Sequence, residues 1–96
     1  MTLWGTLRTE LDRAGRVAQS ALDEGRLRLD ALRARQLADR AAQALGYAVF
    51  RARAEGREIE PELYASLSAT LAAHEAEVAS LDTKLAAERG KRATDS

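Results

Sequence analysis

The stretch Glu55-Gly56-Arg57-Glu58-Ile59-Glu60-Pro61-Glu62 decides how this chain folds, because two apolar repeats are mirrored about it. Before it, Leu27, Ala31, Ala34, Ala38, Ala41, Leu45, Ala48 and Ala52 recur at 4-3 spacing. After it, Tyr64, Leu67, Leu71, His74, Val78, Leu81 and Leu85 recur at 3-4 spacing. Each repeat lays one continuous edge along a helix. Reflected about the turn, the two edges meet in register: Ala52 with Tyr64, Ala48 with Leu67, Leu45 with Leu71 and Ala41 with His74. Ala38 with Val78, Ala34 with Leu81 and Ala31 with Leu85 complete the series. Gly56 suits the position just past a helix end, where positive φ is cheap. Pro61 suits the first turn of the next helix, with Glu62 beside its positive end. The predicted fold is all-α: an antiparallel two-helix coiled-coil hairpin with an N-terminal amphipathic helical extension, assembling into a bundle.

Working outward, residues 26–89 form the hairpin, with its turn at 56–60. Residues 1–25 carry a separate amphipathic stripe: Trp4, Leu7, Leu11, Ala14, Ala18 and Ala21. This stripe also follows 3-4 spacing but slips out of phase with the later seam near Gly25. Leu22, Leu29 and Leu32 bridge the slip, which predicts a continuous helix with a local distortion. Gly90 is expected to end the second helix, leaving 90–96 as a flexible tail.

Composition narrows the class. Ala, Leu, Arg and Glu dominate the 96 residues, as in long helices and coiled coils. Cysteine is absent, which removes disulfides, thiolate metal sites and cysteine catalysis. Fifteen basic residues balance fifteen acidic ones, so nothing favours nucleic acid through an overall positive field. The balance is uneven along the chain. Residues 25–55 hold seven Arg against three acids, and 56–96 hold five basic residues against eight acids. A basic arm facing an acidic arm favours their pairing over like-with-like. No apolar run approaches the roughly twenty residues of a membrane span. Met1-Thr2-Leu3-Trp4 lacks the basic segment and apolar core of a secretory signal, which predicts a cytoplasmic protein.

The seam sets large residues against small ones, so the helices approach closely but bury little area per layer. Apolar residues off the seam point to further packing. Leu37 and Val49 flank the first arm, Phe50 points further round, and Ala65, Ala72 and Ala79 form a second stripe on the other arm. With Trp4, Leu7 and Leu11 they make the candidate partner or oligomer surface. The expected partner is a second copy of this chain or another helical protein.

Chemistry-bearing residues are few. His74 is the sole histidine and lies in the seam, which reads as a core histidine that sets register or senses pH. Glu77 follows it by one turn, the reverse of the ferritin-type order. The residues Arg26, Arg28, Arg33, Arg35 and Arg40 are interrupted by Asp30 and Asp39 and lack an aromatic platform for bases. Ser66, Ser68 and Ser80 have no neighbouring base. No catalytic, cofactor or metal site is predicted, and the chain reads as a non-enzymatic structural or assembly protein. The alternative is a membrane-surface or partner-binding adaptor, with Trp4 leading an interfacial helix.

Residues 27–85 resemble the helical stalk of uncharacterised bacterial coiled-coil proteins that often end in a zinc ribbon. The resemblance rests on Leu45-Gly46-Tyr47-Ala48-Val49-Phe50, Glu55-Gly56, Ile59-Glu60-Pro61-Glu62 and the Leu-spaced second helix. The stretch Trp4…Leu7…Leu11…Ala14-Gly15 also looks like that family's amphipathic start. The resemblance implies architecture and a bacterial source; without cysteine, the ribbon itself is missing.

Overall fold

The structure, a computed structural model, describes residues 2–95 as two helices, α1 (Thr2–Ala54) and α2 (Pro61–Asp95). Both consist mainly of strong helix formers, and neither contains a proline after its first turn. The helices pack against each other as an antiparallel hairpin in a rod of 82 × 17 × 17 Å. The 53 residues of α1 span about 80 Å at 1.5 Å per residue, so this one helix accounts for the length of the rod.

The turn is built by the residues that specified it. The Arg57 N–H donates to the Ala52 carbonyl at 2.9 Å, and the Gly56 N–H donates to the Arg53 carbonyl at 3.0 Å. These are the two bonds of a Schellman cap, and Gly56 takes the left-handed φ of +77° that the cap requires. On the far side the Glu60 carbonyl accepts from the Tyr64 N–H at 2.9 Å, starting α2 with Pro61 in its first position. Ile59, the apolar residue of the turn, is half-buried. Gly56→Ala is expected to cost about 1 kcal/mol, because a side chain at positive φ meets its own backbone. Chemical denaturation measures this, and an unchanged midpoint would contradict the assigned cap.

The core is thin and lies along the mirrored seam. Ala31, Ala34, Leu81 and Leu85 form its buried cluster, with Leu27 and Val78 packed against it. Ala38, Ala41 and Ala52 are also buried, and Leu45, Ala48, Leu67, Leu71 and His74 are half-buried. Tyr64 departs from its expected place in the seam: it is 50% exposed. Ala52 in the same layer is buried, so the layer is closed on the α1 side while the Tyr64 ring stands largely outside it.

The helix boundaries agree with the sequence reading at one place and differ from it at another. First, α1 runs without interruption through Gly15 and Gly25 into residues 26–54, as the bridging Leu22, Leu29 and Leu32 predict. A helical glycine costs only about 1 kcal/mol relative to Ala, which a long helix absorbs. Second, α2 does not stop at Gly90 but continues to Asp95, so residues 90–95 are helical; Ser96 lies outside the described residues. Arg92 anchors this extension by reaching across to Glu24 on α1.

Candidate interaction surfaces

The ion pair Glu24–Arg92 marks where the hairpin closes at its open end. Glu24 is 3% exposed, and its Oε2 accepts from Arg92 and lies 3.3 Å from the Arg28 guanidinium. Its numbering obeys the mirror: 24 and 92 sum to 116, as do 45 and 71. The seam therefore extends one layer past Leu27 in ionic form. The apolar repeats do not single out Glu24; the mirror sum is the signal in the sequence that locates its partner. Glu24 Oε1 has no hydrogen-bond partner in the protein, so the carboxylate relies on the two guanidinium groups. Arg92→Ala is expected to lower stability by about 1–2 kcal/mol, while Lys91→Ala, which loses only a contact to Glu88 on its own helix, changes little. Urea denaturation of both variants provides the comparison.

A second bridge crosses the hairpin where Arg35 Nη2 donates to Asp82 Oδ1 at 2.9 Å and Oδ2 at 3.1 Å. It joins the basic arm to the acidic arm, whereas Glu24–Arg92 runs the opposite way. Among the described residues the remaining ion pairs lie within a helix or the turn: Arg13–Glu10, Arg28–Glu24, Arg57–Glu55 and Lys91–Glu88.

Beyond Glu24, α1 continues alone. By the mirror, the end of α2 at Asp95 comes level with Ala21 (95 and 21 also sum to 116), leaving residues 2–20 as an overhang of about 28 Å. Every residue from 2 to 23 is exposed, including Trp4 at 81% and Leu7 and Leu11 of the candidate surface. The other candidates are spread around the rod. Leu37 and Phe50 are exposed, as are Ala65, Ala72 and Ala79. Val49 departs from its expected role, being half-buried beside Ala48. Tyr47 is exposed and carries the Arg51 guanidinium 4.9 Å from its ring centre, a cation–π contact within one turn of helix.

His74 faces an open depression of about 220 Å³ lined with Asp30, Arg33, Leu37 and Glu77. Among the described residues no group of three or more His, Asp or Glu side chains is gathered as a metal site would need. Among them, too, no helix is long and apolar enough to cross a membrane. Ser66 and Thr70 share a bond within α2, the Thr70 hydroxyl donating to the Ser66 carbonyl at 3.1 Å. Ser68 is half-buried with its hydroxyl unpartnered.

No family model, curated protein or solved structure matches the chain.

Proposed function

We propose that this chain is a non-enzymatic structural or assembly protein of the cytoplasm that self-associates through helical packing. The observation behind this reading is the unshared part of α1, where Leu3, Trp4, Leu7, Leu11 and Val17 are all exposed. The surface as a whole is large for the mass. The chain exposes 7672 Å², against about 5,400 Å² for a compact monomer of 10.4 kDa. Helices in proteins draw most of their stability from packing an amphipathic face, and this face of the overhang is left unpacked by α2.

The mass in solution tests this reading. Light scattering coupled to size exclusion is expected to give a multiple of 10.4 kDa at micromolar concentration. A monomer throughout the micromolar to millimolar range would refute it. The adaptor alternative draws on the same overhang with Trp4 at its start, and co-sedimentation with anionic liposomes addresses it. Binding that vanishes in a variant beginning at residue 26 would favour the membrane surface over self-association.

A further inference from the structure

The overhang carries a pattern that specifies its own complement. The stripe Trp4, Leu7, Leu11, Ala14, Ala18, Ala21 maps onto itself when each residue number is subtracted from 25: 4 with 21, 7 with 18, 11 with 14. A helix with this property meets a second copy of itself antiparallel, with a two-fold axis between residues 12 and 13. Each layer then sets a large residue against a small one: Trp4 on Ala21, Leu7 on Ala18, Leu11 on Ala14. The hairpin seam uses the same rule, with Leu81 against Ala34 and Leu85 against Ala31.

We propose that two copies of this chain dimerise end to end through an antiparallel coiled coil of their overhangs, a geometry that rests on the self-association reading above. Three observations favour a second copy as the occupant. First, α2 of the same chain cannot serve. Continued past Glu24 at its own spacing, the hairpin seam meets Ser20, Val17, Arg13, Glu10 and Thr6, a largely polar line. The stripe sits one residue further on throughout, about 100° around α1 from the face that α2 covers. Second, the two coverings follow one another along α1, sharing only the level of residues 21–23, where α2 and the second copy lie on different faces. The hairpin closes at Glu24–Arg92, and the first layer of the dimer falls at Ala21.

Third, the flanks and the area suit the pairing. Like flanks meet in an antiparallel pair, so on one border Arg8 faces Gly15 of the second copy and on the other Glu10 faces its Val17, and no like charges face each other. Leu3 and Val17 widen the apolar face on one side, at 84% and 64% exposure. Covering most of these two residues together with Trp4, Leu7 and Leu11 removes on the order of 500 Å² per copy. The pair then buries about 1,000 Å², the lower bound for a specific interface.

The geometry predicts a length. Overlapping only their overhangs, the two rods make a particle about 135 Å long, whereas side-by-side copies stay near the 82 Å of one chain. Small-angle scattering of the full chain is therefore expected to give a maximum dimension near 135 Å at a dimer mass. Because the chain has no cysteine, single-cysteine variants report register cleanly. A mixture of Leu11→Cys and Ala14→Cys proteins is expected to form the mixed disulfide in preference to either homodisulfide. Leu11→Glu is expected to weaken the dimer at least 100-fold while leaving hairpin helicity intact, and Phe50→Glu to leave it unchanged. A dimer shorter than about 90 Å, or one dominated by the Leu11→Cys homodisulfide, would overturn this interface while leaving self-association standing. A monomer at all concentrations would overturn both.

Discussion

Ala38→Glu is expected to separate the two helices of the hairpin, with a loss of about 3–5 kcal/mol. Ala38 is 6% exposed in the middle of the seam, where α1 and α2 approach closely because one partner in each layer is small. A glutamate there has no room, and the mirrored register sets it level with Val78 rather than with a cation. Either the carboxylate is buried without a partner or the helices part to wet it, and both outcomes forfeit packing. Set against a total of about 5–15 kcal/mol for a typical domain, the loss is a large fraction of the stability. Ala42→Glu provides the contrast. Ala42 lies one turn further along and is exposed, so the same substitution is expected to change stability by less than about 0.5 kcal/mol. Thermal unfolding followed by circular dichroism distinguishes the two, and equal melting temperatures would mean that the seam is wrongly placed.

Leu81→Ala is expected to cost about 2–4 kcal/mol, the second largest effect. Leu81 is 5% exposed within the cluster that it forms with Ala31, Ala34 and Leu85. Its neighbours across the seam are alanines, which have no longer rotamer with which to refill the space. The cavity therefore persists unless the helix backbones move together. The adjacent residue supplies the comparison, since Asp82 holds the bridge to Arg35 with both side chains substantially exposed. Asp82→Asn is expected to cost no more than about 1 kcal/mol, and less at high salt. Denaturant titrations of the pair decide whether packing or charge holds the hairpin, and a larger effect at Asp82 would favour charge.

Much of this fold was legible in the sequence because its determinants are local. Gly56 and Pro61 announce the turn through backbone conformations that few other residues accept as cheaply. The 4-3 and 3-4 spacings of alanine and leucine describe a face of each helix, and matching those faces about the turn yields the hairpin. Features that depend on distant groups were harder to read. Gly90 looks like a helix end, yet α2 passes through it. The glycine penalty is about 1 kcal/mol, and the Arg92–Glu24 pair one half-turn further on favours continuation. Tyr64 has the spacing of a core residue, yet it stands half exposed while Ala52 in the same layer is buried.

The candidate surface divides along the same line. That Trp4, Leu7 and Leu11 share an apolar stripe out of phase with Leu27 and Ala31 follows from residue numbers and the helical period. That the stripe stands uncovered follows only from the tertiary structure, because it depends on which face of α1 the second helix occupies. The sequence by itself determined the two helices, the turn between them and the faces that meet across residues 27–85, since periodicity and backbone preference act over a few residues. Only the tertiary structure decided that the hairpin closes on a buried Glu24 and that residues 2–20 project beyond it. The closure turns on a contact between residues 68 positions apart, whose free energy of about 1–2 kcal/mol outweighs the local penalty of a helical Gly90.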